Sequence, residues 1–233
     1  MKLSDGAIVE LLGLAAVPLS HQTLESALDA ICLIAARALP QADGASLTSF
    51  ETGGPKAAAA SSDWARDLDE MQYDEREGPC IDAARTGALF RVRDIASETR
   101  WPSYMPRASE RGAASMMSIP MTVEAKTIGA LNIYSREADA FTAEDFAIAE
   151  VIAGHATLAS QAAAALQRHR DLADQLQTAL SSRPTIEQAK GIIMATKGCG
   201  PDEAFAVLRE QSQHQNIPLR QIAQELVDRQ RRS

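Results

Sequence analysis

Three kinds of side chain in this sequence have the chemistry to do work: thiols, imidazoles, and a set of Lys and Arg residues towards the C-terminus. Cys80 follows Gly78-Pro79 where a helix is predicted to begin. Backbone N–H groups at a helix start favour a thiolate, which would suit a redox or electrophile sensor. The alternative is a small buried residue packing that helix on a sheet. Cys199, in Lys197-Gly-Cys-Gly-Pro, falls in a tight interhelical loop and reads as incidental. The four histidines, His21, His155, His169 and His214, have no spacing with the cysteines that suits zinc, so neither a metal nor a cofactor is expected. His155 and His169 lie on the apolar stripe of a long predicted helix, either as seam residues or as a ligand or pH switch. The chain has no Gly-x-x-x-x-Gly-Lys loop, no Gly-x-Ser-x-Gly elbow and no His-Glu-x-x-His. It also lacks the acidic pocket and partner lysine of a phospho-receiver. The expectation is a protein that is not an enzyme.

These residues need elements to position them. The 233 residues suffice for one large domain or two small ones. No apolar run is long enough to span a membrane, and the start, with Asp5 and no cleavage site after a clean apolar core, predicts no signal peptide. Three widely spaced cysteines suit a reducing cytoplasm rather than a disulfide framework. The net charge of −8 speaks against a nucleic-acid binder until the chain is divided. Residues 181–233 carry eight Lys and Arg against six Asp and Glu, a balance of +2 that includes Arg229-Gln-Arg-Arg; residues 1–180 carry 15 against 25, a balance of −10. A tail with so little excess charge would bind RNA more by shape and specific contacts than by bulk attraction.

In chain order, residues 5–38 read as two helices broken at Pro18 to His21. Gly44 to Pro55 is a strand entering a turn, and Lys56 to Ser61 its hairpin partner. Asp63 to Tyr73 is a helix with Asp63 as N-cap. A short helix runs from Glu77-Gly-Pro-Cys80 to Thr86, and Ala88 to Asp94 is a strand. Residues 97–111 are a polar segment whose Trp101 and Tyr104 could line a ligand pocket beside the sheet. Ala113 to Glu124 and Thr127 to Tyr134 are the last strands, joined at Ala125-Lys126.

This order, with Asp43-Gly44-Ala45-Ser46, Glu77-Gly78-Pro79-Cys80, Ser118-Ile-Pro, Ile128-Gly-Ala-Leu-Asn-Ile-Tyr and Phe141-Thr-Ala-Glu-Asp, resembles the GAF small-molecule sensor fold over about residues 22–165. The resemblance implies an α+β domain with an antiparallel sheet flanked by helices, preceded by an N-terminal helix in residues 1–21. Cys80, Trp101 and Tyr104 are the candidate ligand-binding residues. Neither the cyclic-nucleotide signature of that family nor a bilin-attachment cysteine is visible, so the ligand is not readable.

From Thr142, with Asp145 in a capping arrangement, an uninterrupted helix is predicted to about Ser181. Some 38 residues would span roughly 57 Å. Apolar positions repeat every seven, as in Val151, Leu158, Ala165, Leu172 and Ala179. The expectation for residues 142–181 is a long signalling helix pairing with the same helix of a second subunit as a parallel coiled coil.

The tail, residues 182–233, reads as three short helices opened by Pro184, Pro201 and Pro218, the first ending at Gly198. Ile186, Ile193 and Met194, then Phe205, Leu208 and Ser212, then Leu219, Ile222, Ala223 and Leu226 follow helical spacing. The ordered set Ala189-Lys190-Gly191, Glu203-Ala204-Phe205, Leu208-Arg209, Asn216 and Leu219-Arg220-Gln221-Ile222-Ala223 resembles the ANTAR family of RNA-binding antitermination modules, over about Ser181 to Asp228. That resemblance implies binding to tandem stem-loops with six-base loops, which keeps a terminator hairpin from forming.

Within this frame Ala189 and Ala204 are small enough for splayed bases to lie against the helices, and Gly191 would let backbone approach an RNA loop. Lys190, Arg209 and Arg220 can meet phosphates or a guanine edge. Phe205, the tail's one aromatic, could stack on a base, although its register with Leu208 favours the core. The sequence therefore supports a cytoplasmic regulator in which a small-molecule sensor controls a structured-RNA binder. A DNA-binding helix-turn-helix, from Leu219-Arg-Gln-Ile-Ala-Gln-Glu-Leu, and a protein-interaction module are the alternatives.

Overall fold

Alternation along three strands explains the first half of the molecule. In β5 (Lys126–Ser135), Leu131 and Ile133 face one side of the sheet while Asn132 and Tyr134 face the other. β1 (Gly44–Glu51) sends Leu47 one way and Thr48 the other, and β4 (Ser115–Val123) divides Met117 and Ile119 from Met116 and Ser118. With β2 (Gly54–Ala60) and β3 (Phe90–Val92) they form a five-stranded antiparallel sheet in the order β2-β1-β5-β4-β3. The fold is α+β, as expected.

Helices cover both faces. On the first, α1 (Asp5–Ala15), α2 (Leu24–Ala38) and the start of α6 (Ala143–Lys197) share a core of Leu28, Ile31, Leu47, Leu131, Ile148 and Ile152. On the second lie α3 (Asp63–Glu75), α4 (Pro79–Thr86) and α5 (Tyr104–Glu110), with Leu68, Met105 and Met116 among the buried side chains. The computed structural model describes residues 5–15, 23–51 and 54–231, which divide into two compact units, residues 1–164 and 165–233. The expected break at Pro18 to His21 lies outside the described residues.

Several boundaries differ from the sequence reading for local reasons. Ser62, not Asp63, is the N-cap of α3; its hydroxyl accepts the Ala65 N–H, leaving Asp63 in the first turn. The predicted strand Ala88 to Asp94 shrinks to Phe90–Val92, the residues that find partners on β4. The turn between the last strands is Glu124-Ala125, both at positive φ, and Lys126 already pairs in β5. The polar segment 97–111 contains a helix, α5, whose first N–H groups are capped by the Glu77 carboxylate at 2.7 and 3.3 Å.

The largest difference is at Pro184, which opens no new helix: α6 runs from Ala143 through Pro184 to Lys197. Proline inside a helix removes one hydrogen bond and costs about 3 kcal/mol. The alanine-rich stretch before it and the packed turns after it, at Ala189 and Ile193, outweigh that cost. Gly198, at φ 66°, then ends α6 in the left-handed conformation that glycine adopts without penalty. The Thr142–Asp145 capping pair forms at the other end, with the Asp145 N–H on Thr142 Oγ1 at 3.3 Å and the Thr142 N–H on Asp145 Oδ2 at 2.7 Å.

In the second unit α7 (Pro201–Gln215) and α8 (Leu219–Arg231) pack with the end of α6 around Ala189, Ile193, Ala204, Leu208, Ile222, Ala223 and Val227. α7 ends at Asn216, whose φ of 54° suits asparagine. Ser212 Oγ secures this end by donating to the Ile217 carbonyl at 2.6 Å. No described helix is long and apolar enough to cross a membrane.

Candidate sensor cluster and candidate nucleic-acid interface

The second face of the sheet holds a polar cluster inside the first unit. Because alternate positions on β1, β4 and β5 point the same way, Thr48, Ser118, Asn132 and Tyr134 converge beneath α3 and α4. α3 contributes Asp69, Gln72 and Tyr73 at helical spacing, and α4 contributes Cys80. Asp69 is fully buried and has no basic partner among the described residues. Four neutral donors reach its carboxyl: Tyr134 OH and Asn132 Nδ2 (2.9 Å) at Oδ1, and Tyr73 OH (3.1 Å) and Thr48 Oγ1 (3.2 Å) at Oδ2. Burial pushes the Asp69 carboxyl above its usual range, and the hydrogen bonds from Tyr134, Tyr73 and Thr48 draw it only part of the way back. Burial likewise raises the phenols of Tyr73 and Tyr134, which therefore donate as neutral groups.

The three candidate ligand residues fare differently. Cys80 belongs to this cluster but is fully buried, its thiol donating to Thr48 Oγ1 at 3.2 Å. Burial, then the Asp69 carboxyl, push that thiol up to about 12, so of the two readings of Cys80 the buried residue packing the helix on the sheet describes it and the thiolate does not. Trp101 is 2% exposed, packs edge-on against Phe90 and donates its indole N–H to Asp82 at 3.1 Å. Tyr104 is buried with its hydroxyl 3.6 Å from the Met116 sulfur. Trp101 and Tyr104 are thus core residues rather than the walls of an open pocket. The cleft of about 350 Å³ near that segment is lined by Arg91, Arg93, Asp94, Ser97, Glu98 and Arg100. Its cations are already engaged: Arg91 with Asp139, and Arg100 with Glu98, whose carboxyl that guanidinium holds down at about 2.

Gln72 ties the cluster together. Its amide N–H donates to Tyr134 OH at 3.1 Å and its oxygen accepts the Cys80 N–H at 2.8 Å, so one side chain joins α3, α4 and the sheet. It can do so because Gly78 sits beside it at φ 145°, where an added Cβ would lie 2.3 Å from Gln72 Oε1. Gly78→Ala is therefore expected to lower the unfolding free energy by about 2 kcal/mol, combining left-handed strain with a broken bridge. Urea denaturation measures this loss.

In the second unit the tail residues separate into buried and exposed sets. Ala189 and Ala204 are fully buried where helices cross, so bases cannot lie against them; their small size serves the crossing. Phe205 is 41% exposed, a correction to its expected place beside Leu208. Positions 204 and 208 complete a helical face as well as 205 and 208 do, and the smaller residue took the close contact. Arg209, one turn beyond Phe205, and Arg220, at the start of α8, are exposed. Lys190 is partly covered, with Nζ 3.0 Å from both carboxylate oxygens of Glu187. Gly191 is exposed with open space where a side chain would be, beside a groove of about 550 Å³ that Gln188, Ile192, Thr196, Val227 and Gln230 help line. Among the described residues no group of three or more His, Cys, Asp and Glu is arranged to hold a metal ion.

Comparison with known proteins bears on both units. A family model described as the GAF domain matches residues 21–166, and one described as the ANTAR domain matches residues 174–227. No curated protein matches the chain. Among solved structures, the GAF domain of a phosphoenolpyruvate-protein phosphotransferase from Coxiella burnetii is 19% identical, covering 71% of this chain and 99% of its own, with a TM-score of 0.56. The corresponding Acinetobacter domain is 14% identical, covering 70% and 96%, at 0.56. A domain of a putative two-component sensor histidine kinase protein from Sinorhizobium meliloti 1021 is 17% identical, covering 64% and 98%, at 0.54. At these identities the likeness is one of fold.

Proposed function

Since the chain belongs to the GAF domain family and carries an ANTAR domain behind its sensor, we propose that it is a signal-responsive antitermination regulator that binds structured RNA through residues 182–233. Both domains are regulatory, and the signal-regulated ANTAR architecture is the premise. The RNA target in this reading is a pair of stem-loops with six-base loops. The observation that carries it is the outward pairing of Phe205 and Arg209 on successive turns of α7. An aromatic ring left in water is unfavourable for the folded domain, and beside a guanidinium it offers a nucleotide both a stacking face and a phosphate partner. Lys190 and Arg220 extend the basic character to α6 and α8. The tail's balance of only +2 fits recognition by a few placed contacts.

In this reading two further parts complete the device. The input is a small molecule taken up by the GAF unit. The output unit works as a dimer: Leu166, Leu172 and Leu176 of α6 are 49%, 53% and 56% exposed, an apolar stripe that a second α6 in parallel would cover.

Lys190→Ala and Arg209→Ala test the RNA assignment. Each is expected to weaken binding of a hexaloop stem-loop roughly tenfold, about 1.4 kcal/mol, with thermal unfolding unchanged. Loss of the folded state in either variant, or RNA binding equal to wild type in both, contradicts it.

A further inference from the structure

The apolar stripe of α6 changes character as it enters the tail. Steps of seven residues from Leu176 lead to Arg183, Lys190 and Lys197. Seven residues fall about 20° short of two full turns, so all four lie within an arc of about 60° on one face of the helix. The alternate seam positions change as well, Ile186 partly and Ile193 fully turned into the bundle of their own chain. The face that pairs two copies through Leu172 and Leu176 is therefore continued by a ladder of three cations. Arg183 and Lys197 are exposed and have no acidic partner among the described residues; Lys190 is held by Glu187. Two such ladders brought side by side at the 8–10 Å of packed helices would repel each other unless an anion lay between them.

We propose that the RNA site is composite: the ladders of the two subunits together grip one phosphate backbone along the dimer axis, through Arg183 and Lys197 of each copy. This rests on the reading of the tail as an RNA binder and of α6 as the dimer helix. The chemistry sought is a run of phosphates, because Arg183 and Lys197 of each copy bring together four cations with no acidic partner among the described residues. A single subunit presents half the site. Dimerisation and RNA binding are then coupled in both directions, since the bound phosphates remove the repulsion that opposes pairing.

The test compares wild type, the double variant Arg183→Gln with Lys197→Gln, and the double variant Leu172→Glu with Leu176→Glu, by filter binding of a hexaloop stem-loop at several salt concentrations and by sedimentation. All changes fall on exposed side chains, and thermal unfolding checks that each protein is folded. The glutamine variant is expected to remain able to dimerise, to bind RNA roughly tenfold or more weakly, and to show a salt slope shallower by about 3, the value for four lost phosphate contacts at about 0.7 each. In the glutamate variant, expected to be monomeric, adding the glutamine changes should have less than a threefold further effect. RNA binding by the glutamine variant with wild-type affinity and slope overturns the composite site and leaves the RNA reading standing. Absence of RNA binding by wild type overturns both.

Discussion

Asp69→Ala is expected to destabilise the GAF unit by about 3–5 kcal/mol. Alanine removes the acceptor for Tyr134, Asn132, Tyr73 and Thr48 at once and leaves a void in a closed site. A buried donor without a partner costs about 1–3 kcal/mol, and partial rearrangement, such as a closer Thr48–Tyr73 pair, recovers some of the sum. Urea denaturation followed by fluorescence of Trp64 and Trp101 reads the effect, since both rings lie on this face of the sheet. Asp69→Asn keeps the volume and removes the ionisation. The folded protein holds the Asp69 proton more tightly than the unfolded chain does. The stability that follows is fully present below the unfolded carboxyl range, about pH 3.9, and is lost as pH rises through the raised folded value. Wild type is therefore expected to lose stability with rising pH relative to Asp69→Asn. A difference between the two that stays flat from pH 4 to pH 8 contradicts this assignment.

The second large effect concerns association. With Leu172 and Leu176 both changed to Glu, the protein is expected to sediment as a monomer at micromolar concentration, whereas wild type is expected to sediment as a dimer. Both side chains are more than half exposed, so the charges burden no intrachain core and thermal unfolding should stay within about 0.5 kcal/mol of wild type. Across a parallel seam they would place like charges against each other in place of apolar contacts. RNA affinity should fall on the order of 10²-fold for a target with two stem-loops, since avidity is lost with the second site, and much less for a single stem-loop. A wild-type protein that is itself monomeric at micromolar concentration ends the dimer reading.

Much of this molecule could be read before its structure was known, and the parts that could not share a cause. The sheet was legible because Leu47-Thr48, Met117-Ser118 and Leu131-Asn132 alternate with period two, and the ends of the last helices because Gly198, Pro201 and Asn216 have local reasons to stand there. The Asp69 cluster was not legible. Its members stand at positions 48, 69, 72, 73, 80, 118, 132 and 134, and only the sheet registry brings them together. A trace was present: Ser46, Thr48, Ser118 and Asn132 are polar residues at inward positions of the central strands. Trp101 and Tyr104 misled because a polar neighbourhood in sequence surrounds side chains that point into the core. Pro184 misled because a strong local signal for a helix start was overridden by helix on both sides. In the tail, spacing alone could not choose between Ala204 and Phe205 for the buried position; the close crossing chose the smaller residue and left the aromatic outside.

In the proposed function, the exposed Phe205–Arg209 face and its basic neighbours bind structured RNA. This is tested most directly by equilibrium binding of the full-length protein to a tandem hexaloop stem-loop RNA and to duplex DNA of equal length, at the same low salt. Binding to the RNA is expected to be at least tenfold tighter, with an affinity that declines as salt rises. Equal binding to both, a preference for the duplex, or no binding to either contradicts it.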